Sequence, residues 1–436
     1  MATRKTAQYF VLGISTTAFT ICFMTWMMFA VLGVPIKQLL QLSETEFGLL
    51  AAAPVLTGSL VRLPLGMVAD RFGGRPVFFF LMLACVLPVY LVGEATRYWQ
   101  FLTLGLLLGL AGGSFSVGIA YVAKCFDSAD QGLAMGIFGA GNAGSALTKF
   151  TAPAIIAVGT WQLVPKVYAA TLLIAALAFW CLTPGRGAQR TQGVRNGPDA
   201  GQGATLRAQL ALLRDPAVWR YSQYYSIVFG GYVALALWMT QYYVQEYGMS
   251  LRTAALLATC FSLPGGVLRA VGGWASDRWG AQSVTWWVLW VAWACLFLLS
   301  YPPSHVSIAT VDGSLGFTIR LDAMAFTALI FVLGTAFAFG KASVLKYVAD
   351  DYPTSIGVVS GIVGLAGGLG GFVLPILFGM LVDLTGVRSS CFMLLYGVVS
   401  VSLAWMYLGE IRRTAVLGRA VGAASPSPSK GDSRHD

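Results

Sequence analysis

The sequence predicts an all-α polytopic membrane protein with twelve transmembrane helices in two pseudo-symmetric six-helix halves. Three observations predict it. Of 436 residues, 57% are hydrophobic and only 11% charged, and the mean hydropathy is +0.72. Soluble domains carry about 25% charged residues. Apolar stretches of about 20 residues, the length that crosses a bilayer, recur along the chain. A short pattern built on an intramembrane arginine occurs twice, with Arg62 and Arg269 207 positions apart.

Taken in order, the predicted spans are roughly 9–33, 47–69, 77–95, 99–123, 132–157, 164–183, 218–243, 253–276, 283–301, 323–348, 356–382 and 390–408. The first run, Tyr9 to Gly33, is too long for a signal-peptide core and has no clear cleavage site. Residues 1–183 form the first half and 217–410 the second. Between them, residues 184–216 are polar and rich in Gly and Arg, which predicts a flexible cytoplasmic linker. Residues 411–436, ending SPSPSKGDSRHD, read as a disordered cytoplasmic tail. The 51 glycines suit helices that approach closely through small residues.

The net charge of +10 would point to nucleic acid in a soluble protein. Here it reads as topology, because basic residues gather in cytoplasmic loops. With the N-terminus inside, 17 Lys and Arg fall on the cytoplasmic side and 5 on the other. Both termini are therefore expected in the cytoplasm, with the chain multi-pass in the inner (plasma) membrane. The seven cysteines are scattered and fall mostly in apolar segments, and the only histidines are His305 and His435. Nothing has metal-ligand spacing. No metal, no cofactor and no enzymatic chemistry are expected.

The repeated pattern carries the chemistry. GSLVRLPLGMVADRFGGR contains Arg62, Gly66, Asp70 and Arg71, and GGVLRAVGGWASDRWG contains Arg269, Gly273, Asp277 and Arg278 at the same spacings. The G-x-x-x-D-R-x-G element resembles the loop 2–3 signature of the major facilitator superfamily. A gating role is expected for Asp70, Arg71, Asp277 and Arg278. Arg62 and Arg269 lie eight residues from these loops. At 1.5 Å per residue that is about 12 Å into a hydrocarbon layer whose half-thickness is about 15 Å. An arginine at such depth costs at least about 2.5 kcal/mol, which marks a function. Every carboxylate near the spans sits at a span end. Two buried cations without a carboxylate repel each other and call for an external anion, which guanidinium binds through paired donors.

The fifth span of each half is glycine-rich, GAGNAGSALTKFTAP and GLAGGLGGFVLP. Gly139, Gly141, Gly144, Gly367, Gly368, Gly370 and Gly371 predict close helix approach along a moving pathway. Asn142 can donate its amide N–H to an oxyanion. Tyr225 and Phe229 are a helical turn apart, and with Trp26, Phe29 and Phe115 they supply rings around a cavity. Lys149, Lys166, Lys341 and Lys346 fall in or near spans. Of these, Lys341 and Lys346 are candidates for coupling to protons.

Taken together, these motifs resemble the nitrate/nitrite porter family of the major facilitator superfamily. GAGNAGSALTKFTAP resembles its span-five signature, GIVGLAGGLGGFVLP its span-eleven signature, and GKASVLKYV its span-ten pattern. An asparagine is common in that family where this chain has Lys341. The resemblance implies that Arg62 and Arg269 bind nitrate or nitrite, helped by Asn142, Tyr225 and Phe229, with ring stacking from Phe29 and Phe115. It implies a monomeric secondary carrier working by alternating access. The span-ten pattern favours nitrate/proton symport, which is the coupling expected, with nitrate/nitrite antiport as the alternative. The absence of an intramembrane carboxylate favours nitrate/nitrite antiport. A major facilitator carrier for another small solute is a further reading, although sugar sites need more amides and carboxylates than these spans hold. So is a membrane sensor, which would bind without flux.

Overall fold

The computed structural model describes residues 2–123, 125–126, 131–183, 212–310, 313–353 and 356–411. The expected linker lies almost entirely outside these residues, and the expected tail lies outside them from 412 onward.

Among the described residues, nine helices are long and apolar enough to cross a membrane. They are span 1 (Lys5–Leu40), span 3 (Gly74–Val92), span 4 (Tyr98–Ala123), span 6 (Leu163–Leu182), span 7 (Pro216–Tyr247), span 9 (Ala281–Leu299), span 10 (Ala323–Asp351), span 11 (Val358–Thr385) and span 12 (Ser390–Gly409). Span 8 joins them as a bent pair, Leu251–Val267 and Arg269–Trp279, meeting at 47°. The remaining two of the twelve are interrupted. Span 2 is Glu44–Leu60 followed by Arg62–Phe72, and span 5 is Gln131–Gly139, a tight turn at Ala140–Ala143, then Gly144–Val158. Span 1 runs well past the expected 9–33, continuing through Pro35 as far as Leu40.

Local chemistry sets several helix starts. Ser43 and Glu46 form a reciprocal capping box at the start of span 2. Asp215 caps span 7, with Pro216 in the first turn. Ser250 caps span 8 and Asp322 caps span 10. Gly248 ends span 7 at φ +64°, a conformation that side chains with a Cβ resist.

The connection between spans 9 and 10 holds the one element that helical periodicity does not suggest. Strands β1 (Ser304–Thr310) and β2 (Gly313–Ile319) pair antiparallel, with Ser304 opposite Ile319. The alternating His305-Val306-Ser307-Ile308 suits a strand, and the stretch is too short to register as a span.

The first six spans meet the last six along three seams. Span 2 packs along span 11, span 5 along span 8, and the end of span 1 against span 7. These seams have an empty middle on one side, and that is where the repeated arginines lie.

Candidate anion-binding site

Each repeated arginine is the first residue of a new helix, Arg62–Phe72 or Arg269–Trp279. In span 2 the break has a covalent cause. Pro64 has no amide proton for the Leu60 carbonyl, so the preceding helix ends there. In span 8 the break follows Pro264-Gly265-Gly266, a helix-weakening run, and a tertiary contact holds it. The carbonyl of Gly265, which an unbroken helix would present to the Arg269 amide, accepts a hydrogen bond of 2.5 Å from Lys341 Nζ in span 10. Leu268, at φ −74° and ψ 3°, then carries the bend.

Both side chains enter one cavity of about 600 Å³, together with Phe115, Tyr225, Ser59 and Gly364. None of its described lining residues is acidic. Two larger grooves, about 790 and 670 Å³, lie among exposed apolar residues such as Phe80 and Trp287 and have little polar lining. The guanidinium carbon of Arg62 is 5.0 Å from the centre of the Phe229 ring, and that of Arg269 is 5.6 Å from the centre of Phe115. Ring contact of this kind orients a guanidinium without using its N–H donors. Tyr225 and Phe229 stack at 5.3 Å with planes 12° apart. A π-helical turn at Ser226–Gly231 follows Tyr225 directly, a local widening that often accompanies sites.

Two buried donors on candidate site residues lack protein partners, one on cavity-lining Arg62 and one on Asn142, which like Phe229 is not among the cavity-lining residues. Arg62 Nε is buried with no acceptor. Asn142, 3% exposed, leaves its Nδ2 unpaired, while Ser145 Oγ donates to its backbone carbonyl. A buried donor without a partner costs about 1–3 kcal/mol, which a bound acceptor would relieve. The backbone of Asn142–Ala143 lies against Gly266, where an added Cβ would come within about 3.0–3.1 Å. Span 5 thereby reaches the neighbourhood of Arg269, three residues further on.

The glycines divide by what faces them. A Cβ on Gly144 would strike the Thr20 carbonyl and the Met24 amide, and one on Gly141 would strike the Phe19 ring. Gly367 admits the rings of Tyr225 and Phe229, and Gly368 admits Ser59 of the opposite half. Gly370 faces Ser226, and Gly371 faces Val233 and Val55. Gly139 has nothing within 4 Å, so close approach does not account for it.

Several expected site residues lie elsewhere. Phe29 is fully buried in a separate apolar cluster with Phe101 and Leu108. It is not among the cavity-lining residues, because span 1 turns that face toward spans 2 and 4. Trp26, on the same helix, donates from its indole to the Pro54 carbonyl at 2.9 Å. Another span-1 ring, Phe19, lies 5.5 Å from cavity-lining Phe115. Lys346 lies away from the cavity, half-exposed, pairing with Asp350 at 2.9 Å and Asp277 at 3.6 Å. That pair ties the end of span 8 to span 10, within one half. Arg71 lies beside its neighbour Phe72, and Arg278 is exposed. The Asp70 side chain is outside the described residues. Lys341 is fully buried, with its amine 3.4 Å from the centre of the Tyr232 ring as well as on Gly265.

One cluster has no local sequence signal. On the side away from the D-R loops, Asp383 of span 11 accepts from the amides of Glu44 and Thr45 at 3.0 and 2.8 Å and from the Thr45 hydroxyl at 2.5 Å. Glu44 in turn pairs with Lys37 and accepts from Gln245 at 2.7 Å and Gln241 at 3.4 Å. Span 2 is thus latched to spans 7 and 11. The cavity lies on the other side of the arginines, toward Met67, Ile119 and Leu345. A Ser-x-x-Glu box marks the start of span 2, but its partner is 338 residues away.

Comparison with known proteins adds to this geometry. The model of the Major Facilitator Superfamily matches residues 14–375. The chain is 40% identical to the "Probable nitrate/nitrite antiporter NarK1" of Thermus thermophilus, over 92% of this chain and 91% of that one. It is 31% identical to the "Probable nitrate/nitrite transporter NarK2" of Mycobacterium tuberculosis, over 85% and 89%. It is 28% identical to the "Nitrite extrusion protein" of Bacillus subtilis, over 93% and 96%. Among solved structures, a bacterial homologue of the human lysosomal transporter Spinster superposes with a TM-score of 0.71 at 16% identity, covering 97% of this chain and 99% of that one.

Proposed function

Because the chain belongs to the nitrate/nitrite porter family of the major facilitator superfamily, we propose that Arg62 and Arg269 hold nitrate or nitrite between its two halves during transport by alternating access. The observation that carries this is the shared cavity: two ring-stacked guanidiniums and no acidic residue among its described lining. A planar oxyanion can receive N–H bonds from both arginines in its own plane while Tyr225, Phe229 and Phe115 flank it. Asn142 offers the further donor. Binding neutralises the repulsion between the arginines and lets the halves close around the loaded site.

Residues 1–183 and 217–410 are the two moving halves in this reading. The Lys and Arg bias supports placing the D-R loops and both termini in the cytoplasm of a plasma-membrane monomer. The cavity then faces inward, and the Glu44–Asp383 latch closes the outside.

Exchange of nitrate for nitrite is the coupling mode these residues favour. An empty carrier leaves two bare cations in the membrane and reorients poorly. Lys341, the candidate for symport, already has its amine on Gly265 and Tyr232. The relative named an antiporter agrees with exchange. Nitrate/proton symport, the mode that the span-ten pattern favours, makes the opposite prediction. In proteoliposomes, exchange requires nitrite inside and ignores an imposed pH gradient.

The binding assignment is tested by Arg62→Lys and Arg269→Lys. Each removes a bidentate fork and keeps the charge, and each should lower nitrate uptake by about 10-fold or more. Full uptake by both variants, at normal insertion, would sink the assignment.

A further inference from the structure

Beyond Asn142, toward the latched side, spans 5 and 8 stay face to face across the boundary between halves. Lys149 of span 5 donates from Nζ to Ser262 Oγ of span 8, and both side chains are fully buried. The Ser262 hydroxyl in turn donates to the Ala258 carbonyl at 3.1 Å. The Tyr232 hydroxyl donates to the Ser262 carbonyl at 2.8 Å and lies 3.1 Å from Ser145 Oγ. Ser145 leads back to the Asn142 carbonyl at 3.0 Å. Polar groups therefore run without interruption from Asn142 to Lys149.

Among the described residues, no acidic side chain pairs with Lys149. Its helix, Gly144–Val158, packs against Leu251–Val267, Ala2–Trp26, Phe29–Leu40 and Leu163–Leu182. None of these four helices contains an Asp or Glu. The titratable groups they carry are cationic, phenolic or thiol: Arg252, Lys37, Lys166, Lys5, Arg4, Tyr9, Tyr168, Cys22, Cys181 and Cys260. A cation buried against one hydroxyl is unfavourable by itself. An interface that needed only a hydrogen bond between spans 5 and 8 would be served by a neutral side chain.

We propose that Lys149 is a second anion station, an entry site for a small monovalent oxyanion on the outer half of the pathway. This rests on the transport reading above. Asn142 and Lys149 are seven residues apart, as are Ser262 and Arg269, which puts the station about 10 Å outside the arginine pair. When the halves part on the latched side, Lys149 and Ser262 separate with them. The ammonium then faces the outer vestibule and draws in an anion, which moves along Ser145 and Asn142 to the arginines. On closure Lys149 returns to Ser262 and the outer station is gone.

The test uses the full-length protein in right-side-out and inside-out vesicles, with nitrate as the probe. Lys149→Gln keeps a donor for Ser262 and removes the charge. It should raise the KM for nitrate at the outer face about 10-fold and leave the KM at the inner face within about 2-fold. Lys149→Arg should restore the outer value. Equal shifts on both faces, or none at the outer face, overturn the proposal. Ser262→Cys, with the exposed native Cys181 replaced by Ser, gives an independent readout. An impermeant thiol reagent added outside should label it, nitrate should slow that labelling, and indifference to nitrate counts against the station. Normal uptake by both arginine-to-lysine variants would instead remove the underlying transport reading.

Discussion

Removing the Asp383 carboxylate should release the Glu44–Asp383 latch without unfolding the protein. Asp383 accepts three hydrogen bonds from the first turn of span 2, two from backbone amides and one from Thr45. Its carboxylate is exposed, so the freed amides can turn to water. The loss is then that of a helix-capping acceptor, about 0.5–2 kcal/mol, plus about 0.3–1 kcal/mol for a charge at a helix N-terminus. Span 2 keeps its own Ser43–Glu46 capping box, so the loss falls on the state in which spans 2 and 11 meet. A net shift of about 1–2 kcal/mol changes the ratio of open to closed molecules about 5- to 30-fold. Spin labels at Val158→Cys and Met324→Cys, exposed positions at the latched ends of spans 5 and 10, can report that ratio by pulsed dipolar spectroscopy. In Asp383→Ala the longer distance should gain population by that factor. An unchanged distribution in a normally inserted variant would refute the reasoning.

Two further comparisons follow from packing. Gly144→Ala places a methyl against the Thr20 carbonyl and the Met24 amide; overpacking of this kind costs about 1–3 kcal/mol, so its Tm in detergent should fall. Gly139→Ala meets nothing within 4 Å and should leave the Tm unchanged or raised. Phe115→Leu removes the ring over Arg269 and should weaken nitrate binding, measured by titration, by about 0.5–2 kcal/mol. Phe29→Leu, in the separate cluster, should lower the Tm and spare affinity.

The arginine pair was legible because the sequence states it twice. Eight residues to a charged loop, counted along a helix, already put Arg62 and Arg269 at one depth. The missing carboxylates pointed to an anion as their common partner. What remained hidden depends on three-dimensional neighbours. The break before Arg269 follows Pro264-Gly265-Gly266, which the sequence does show, but the lysine of another span that takes the Gly265 carbonyl is visible only in the fold. Phe29 has the right chemistry and depth but the wrong face, which helical periodicity leaves free until the neighbouring spans are placed. Lys346 shares a motif with Lys341, yet five residues of helix carry it out of the core to Asp277. Glu44 and Asp383 each look like ordinary charges at helix ends, and only the closed seam makes them a pair.

The break at Val61 makes span 2 a jointed rod rather than a rigid one. Its first arm, Glu44–Leu60, carries the latch (the outer arm in the proposed orientation), and its second arm, Arg62–Phe72, carries the D-R loop. The joint falls at the arginine. A tilt of the outer arm can therefore be absorbed there, so that freeing Asp383 need not drag the opposite mouth along with it. Span 8 has its joint in the matching place. An anion held by Arg62 and Arg269, as proposed above, would sit at the two elbows, where either mouth can move while the load stays nearly still.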